Sequence, residues 1–227
     1  MFARYAIYYT PAPGTPFAAF GASWLGWDSA TGQSAAHPDG PVDVAEITAT
    51  PRKYGFHGTI KPPFRLAAGQ TADGLQAALH AFCAGAAPVQ LEGLELAALG
   101  RFLALVPTGD ASALAALAAR AVQELDPFRA APTEAELEKR RASALSPEQE
   151  AHLERWGYPY VLDQFRFHMT LSARLDAPAR RATREMLAPL LGGLSLAPVV
   201  IDALTLLGED SDGRFHQIVR VPLTGAR

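Results

Sequence analysis

Two short stretches of the chain each hold an imidazole, a one-residue spacer and a hydroxyl. They are His57-Gly58-Thr59, inside YGFHGTIKPPF, and His168-Met169-Thr170, inside FRFHMTLSARL. On an extended strand, side chains two residues apart share a face. The first stretch therefore groups Gly55, His57, Thr59 and Lys61. The second groups Gln164, Arg166, His168 and Thr170, with Phe165, Phe167, Met169 and Leu171 on the other side. Each group offers an imidazole, a hydroxyl and a cation. Two such surfaces facing each other suit in-line displacement at phosphorus, where one proton leaves the entering oxygen and another is delivered to the departing one. Imidazole titrates near neutral pH and serves in either role. The hydroxyls of Thr59 and Thr170 would donate to non-bridging oxygens, and Lys61 and Arg166 would offset their charge. Each assisted proton transfer contributes ~10²–10⁴-fold. No metal and no cofactor is required, and the residues alone do not assign which imidazole is base and which acid.

A single His-x-Thr on a strand is most often structural. The weight of this pair comes from the elements around it. The first motif is followed by a predicted helix over 71–85, strands over 89–99 and 101–107 meeting at Gly100, and a helix over 111–125. The second is followed by a predicted helix over 177–193 and strands over 199–207 and 214–223 across the turn GEDSDG. A Gly-Arg-Phe arginine falls 44 residues after His57 and 46 after His168. Such agreement indicates an internal duplication of a strand–helix–strand–strand unit. The expected organisation is one bilobal domain over 1–227, with repeats over about 54–125 and 161–223. Between them, 126–160 is an inserted pair of helices starting at Thr133 and Ser146, expected to form a solvated surface hairpin, with a lid over the site as the lesser alternative. The chain opens with a strand over 4–9. The stretch GASWLGWDSATGQSAAHPDGP is expected to be mostly irregular, and Pro62-Pro63 to end the first motif's strand.

The chain has 227 residues, 49% of them hydrophobic and 19% charged, enough to bury a sizeable core. Its net charge of −3 lacks the basic excess with which proteins grip long nucleic acids. A small phosphate ester is the expected partner. No segment reads as a membrane span or a signal peptide. Cys83 is the only cysteine, which fits a reducing, cytoplasmic setting. His37, His80, His152 and His216 lack zinc-site spacing, so no metal site is expected. His80 and Cys83 are expected to pack within their helix, and His216 to lie at the surface. Arg52, Lys53 and Tyr54 are candidates to reach a phosphate or stack on a base, with solvated loop positions an equal alternative; Tyr5, Tyr158 and Tyr160 are stacking candidates for which core or rim packing is the stronger expectation. There is no P-loop and no GxGxxG fingerprint.

The doubled motif resembles that of the 2H phosphoesterase superfamily, which includes RNA 2′,3′-cyclic phosphodiesterases and 2′–5′ RNA ligase-like proteins. RYAIYYTPAPGTP, FGASWLG, PRKYGFHGTIKPPFRL and RWGYPYVLDQFRFHMTLSARL resemble more closely its DUF1045 branch, whose members carry a phosphonate-metabolism label. The likeness spans nearly the whole chain. It implies a bilobal α+β fold with pseudo-two-fold symmetry, two antiparallel sheets lining a central cleft and helices outside. The superfamily's catalytic histidines carry over to His57 and His168, and its phosphate-binding hydroxyls to Thr59 and Thr170. Members commonly have Ala where this chain has Gly58; that position points away from the site, so little consequence is expected. The label suggests a cyclic phosphate of ribose as substrate. The expected activity is a metal-independent cyclic phosphodiesterase acting on such an ester or on a 2′,3′-cyclic nucleotide. Its rivals are an RNA-end-processing enzyme, which would need a basic track outside the cleft, and a non-catalytic phosphometabolite-binding protein.

Overall fold

The computed structural model describes residues 2–226. Among the described residues there are nine strands: β1 (Tyr5–Tyr9), β2 (Gly58–Phe64), β3 (Val89–Leu91), β4 (Gly93–Leu99), β5 (Phe102–Thr108), β6 (Met169–Thr170), β7 (Val199–Ile201), β8 (Ala203–Glu209) and β9 (Phe215–Pro222). The α-helices are α1 (Pro16–Leu25), α2 (Val44–Ile47), α3 (Ala49–Arg52), α4 (Ala72–Ala84), α5 (Ser112–Glu124), α6 (Glu134–Arg141), α7 (Pro147–Trp156) and α8 (Ala177–Gly192). The protein is α+β with antiparallel pairing throughout. Seven strands lie in the order β4-β5-β6-β2-β1-β8-β9, and β3 and β7 form a separate ribbon. The two sheets that the duplication implies are thus joined edge to edge, where β2 meets β6 at the single pair Gly58–Met169.

The order around that junction interleaves the repeats. The first repeat's hairpin, β4–β5, lies beside the second motif's strand β6. The second repeat's hairpin, β8–β9, lies beside β1, which in turn pairs with β2. The second motif's strand is therefore flanked by the first repeat's hairpin, the first motif's strand is separated from the second repeat's hairpin by β1, and the β3–β7 ribbon ties the two hairpins together. Helices α4 and α5 pack on the sheet against β8–β9 and β2, and α8 lies against β5. The main core lies between them, with Ile7, Ile60, Leu75, Leu79, Leu103, Leu105, Leu204 and Leu206 all fully buried or nearly so. A second, small apolar cluster of Ala6, Tyr8, Leu207 and Phe215, with Tyr54 against it, is distinct from that core.

Several elements depart from the sequence-based expectation for local reasons. Residues 16–25 form a ten-residue helix whose last five residues fall within the stretch expected to be mostly irregular. Thr15 caps it by accepting from the Ala18 N–H, Pro16 opens it, and Gly26 closes it at φ +74°. Strand β2 starts after His57 and runs through Pro62 and Pro63 instead of stopping before them. Register shifts against β1 on either side of Ile7 accommodate the extra residues as bulges, where proline's missing donor is harmless. The second motif's strand shrinks to Met169–Thr170, because residues 162–164 turn as a 3₁₀ helix. The inserted helices start where predicted, with full capping boxes at Thr133 and Ser146.

Candidate active site

The site is set by the pairing of Gly58 with Met169. Continued one residue either way, that antiparallel register places His57 opposite Thr170 and Thr59 opposite His168. Directly opposed side chains on one face lie about 5 Å apart at Cβ and diagonal ones about 7–8 Å. Two imidazoles and two hydroxyls therefore occupy alternate corners of one small square. Both histidines and both threonines are only partly exposed.

Both rings are anchored in the same way. His57 Nδ1 lies 2.9 Å from the Gly55 carbonyl oxygen, and His168 Nδ1 lies 2.8 Å from that of Arg166. A carbonyl only accepts, so each Nδ1 carries the proton and each Nε2 is left to work. The Thr59 hydroxyl lies 3.2 Å from His57 Nε2. Gly55, at φ +69°, turns its carbonyl under the ring in a conformation that other residues adopt only with strain.

The two surroundings differ. Tyr8 lies directly across β1 from Thr59, and its ring stacks on His57 with centroids 3.8 Å apart and planes 19° apart. Tyr54 sits 6.0 Å away on another side. Burial pushes His57 down to about 4, more than its bond to Gly55 raises it, and the nearby His168 imidazole lowers it further. His168 has Phe102 at 5.8 Å and a tilted angle, and the exposed Arg166 close by in sequence. Tyr8 carries no motif and was missed by sequence reasoning. Its signal was the pairing of β1 with β2, which turns one of three β1 tyrosines toward His57.

A cavity of about 300 Å³ opens at the Thr59–His168 edge of this square, lined by those two residues with Pro62, Tyr158, Tyr160 and Arg166 among others. Arg166 and the two tyrosines thus line the same cavity as Thr59 and His168. The inserted helices lie at the surface as expected, and they are also fastened to the sheet's approach. His152 of α7 bonds Asp163 at 2.5 Å and Gln149 bonds Gln164 at 3.3 Å, which fastens α7 to the segment leading into the second motif.

Two expected cations are elsewhere. Lys61 is 2% exposed; its amine donates to the Val122 carbonyl at 2.9 Å and lies 3.4 Å from Asp126. The β2 bulge between Thr59 and Lys61 breaks the simple alternation that had put them on one face. Arg52 spends its guanidinium on the carbonyls of Leu25 and Ala45 and on Thr48. Tyr54 and Lys53 line a second, separate cavity. Tyr5 and Cys83 are buried, whereas His80 is exposed rather than packed. His216 bonds Asp210 at 2.6 Å. Gly58 proves constrained: a Cβ there would meet the Phe167 ring at 2.3 Å, so glycine here and the bulky Phe167 go together.

No helix among the described residues is long and apolar enough to cross a membrane. Among them, no group of three or more His, Cys, Asp or Glu side chains is arranged to hold a metal ion.

Comparison with known proteins gives related sequences and similar folds. A protein named ribose 1,5-bisphosphate phosphokinase PhnN from Janthinobacterium sp. (strain Marseille) is 38% identical over 98% of this chain, which covers 51% of that protein. One of the same name from Laribacter hongkongensis (strain HLHK9) is 33% identical over 96% of the chain, again covering 51% of the relative. The chain thus spans about half the length of the curated relatives it matches. Among solved structures, TT0787 of Thermus thermophilus aligns with a TM-score of 0.45 at 14% identity, over 99% of this chain and all of the other. LigT of E. coli complexed with 3′-AMP aligns with a TM-score of 0.44 at 13% identity, over 99% of each chain. The model of a family described as "Protein of unknown function (DUF1045)" matches residues 59–216, a span that holds Thr59, His168 and Thr170, and the chain belongs to that family.

Proposed function

We propose that the chain hydrolyses a small cyclic phosphate ester, using His57 as general base and His168 as general acid. The observation that carries this is the crossed square, in which each imidazole stands opposite the other motif's hydroxyl on one sheet face. A phosphate seated there meets Nε2 atoms from two sides and hydroxyl donors from the other two corners. His57 Nε2 takes a proton from water as the water oxygen bonds to phosphorus. The ring P–O bond breaks with its electron pair going to the departing oxygen, and His168 Nε2 protonates that oxygen. The product is a phosphate monoester with a free hydroxyl, and solvent returns the two imidazoles to their starting forms. Thr59 and Thr170 hold the non-bridging oxygens, and Arg166 offsets their charge. Burial favours neutral His57, which supports its assignment as base. The imidazoles perform both transfers, so the reaction as proposed needs no metal.

The relatives named for ribose 1,5-bisphosphate support a cyclic phosphate of ribose as the substrate class. The test is to incubate the protein with EDTA and a panel of ribose 1,2-cyclic phosphates and 2′,3′-cyclic nucleotides, following products by phosphorus NMR. Ring opening of the ribose esters in EDTA is expected. Activity lost to EDTA and restored by a divalent ion would overturn the two-histidine mechanism. Tight binding without turnover across the panel would make the chain a binding protein.

A further inference from the structure

A second cavity, of about 260 Å³, lies beside the first and has the opposite character. Its walls include Arg4, Lys53, Arg65, Arg129, Lys139 and Arg140, with Glu136 the only carboxylate among the lining residues. Three of these cations are matched: Arg4 by Glu209, Arg65 by Glu136 and Arg129 by Asp126. Among the described residues, Lys53, Lys139 and Arg140 make no ion pair, so the pocket keeps a surplus of positive charge in a chain whose net charge is −3. Such a surplus within a concave wall concentrates anions.

The two cavities share a partition. Pro62 lines the first and the adjacent Pro63 the second; Tyr158 lines the first and the adjacent Gly157 the second. Arg140 of the second reaches over the Tyr158 ring at 4.6 Å. Tyr54, in the basic wall, stands 6.0 Å from the His57 ring. The insertion supplies Lys139 and Arg140 to one cavity and Tyr158 to the other.

We infer that the basic cavity binds a terminal phosphate monoester carried by the same molecule whose cyclic phosphate meets the histidines, so that the substrate is a doubly phosphorylated sugar. This rests on the proposed hydrolase reading and narrows its substrate class. A dianionic monoester suits lysines and a guanidinium left without carboxylate partners.

The test compares two substrates, a ribose 1,2-cyclic phosphate with and without a 5-phosphate, in the intact protein and in Lys53→Gln and Lys139→Gln. The intact protein is expected to favour the 5-phosphorylated substrate. Each substitution should cut kcat/KM for it about tenfold, mainly through KM, while changing the other substrate less than about twofold. Equal losses on both substrates, or no preference in the intact protein, would overturn the subsite. If neither substrate turns over, the hydrolase reading fails and the subsite is judged by binding. Ribose 5-phosphate should then bind about tenfold more weakly to each variant, and unchanged affinity would sink it. Lys139 lies exposed near the end of α6, so its variant keeps the fold, which circular dichroism checks.

Discussion

The two halves of the site carry one motif in two environments. Around His57 the chain builds an apolar housing: Tyr8 stacked on the ring, Tyr54 beside it, and Phe215 and Leu207 filling the cluster behind. Around His168 it builds an open one, with Phe102 at a tilt, the exposed Arg166 and the cavity mouth. The Nδ1 anchor is the same on both sides, a carbonyl two residues back, while only His57 has its own motif's hydroxyl at Nε2. The surroundings of the rings differ more than their anchors. Enzymes that need an acid and a base from chemically identical groups obtain the difference by placing them in unlike surroundings. A duplicated motif supplies two imidazoles, and in the proposed mechanism the asymmetric lining assigns their roles.

The comparison breaks most severely if either ring is dispensable. His57→Ala and His168→Ala are each expected to lower kcat by ~10²–10⁴-fold with the fold intact by circular dichroism, because each deletes one assisted proton transfer. Two single variants near the wild-type rate would remove the mechanism.

The acid side of the pH profile sharpens the assignment. A base held at about 4 stays unprotonated, so kcat/KM should hold as pH falls through 6 and decline only near 4. Were His57 the acid, its proton would be lost above about 4 and activity would fall as pH rose from there. Tyr8→Leu exposes the ring and is expected to move the acid limb up by about two pH units, toward the ordinary histidine value near 6.5. A limb unmoved in that variant would show that the stack does not set the base.

These features differ in how far sequence revealed them. The motifs, the capped helices and the insertion follow from local signals: spacing, Thr71, Thr133 and Ser146 as caps, and the Gly stops. Three things did not. The α1 helix begins at Thr15-Pro16 and ends at Gly26, signals that were present but outweighed by the many turn-forming residues around them. The joining of the sheets depends on one long-range pair, Gly58–Met169, which no local pattern encodes. The burial of Lys61 depends on a bulge, which breaks period-two reasoning at the residue it displaces.

The spacer residues offer a smaller test of how the halves fit. Gly58 and Phe167 occupy one space, since a Cβ at 58 would fall 2.3 Å from that ring. Gly58→Ala alone should cost about 1–3 kcal/mol of stability by overpacking. Combined with Phe167→Leu, the loss should shrink, a non-additivity that marks contact across the junction. Additive losses in thermal or denaturant unfolding would show that the two positions are independent.

Finally, the two cations assigned to the halves divide. Arg166→Ala is expected to cost about tenfold in kcat/KM, as a charge-assisted contact at the cavity mouth. Lys61→Met should leave kcat/KM within about twofold, since the amine is spent on Val122 and Asp126. Its stability signature is distinct. Burial pulls the Lys61 amine down to about 8, so between about 8 and the unfolded value near 10.5 the unfolded chain binds more protons. Stability attributable to this residue therefore rises with pH across that window and is lowest below it. At neutral pH the folded protein carries a charged, poorly solvated amine only partly offset by Asp126, which keeps Arg129 at 2.7 Å when Lys61 is gone. Replacement by a similarly shaped apolar side chain is then expected to change stability at pH 7 by about 1 kcal/mol or less and to abolish the rise between pH 8 and 10. A large loss of activity with unchanged stability would return Lys61 to the site.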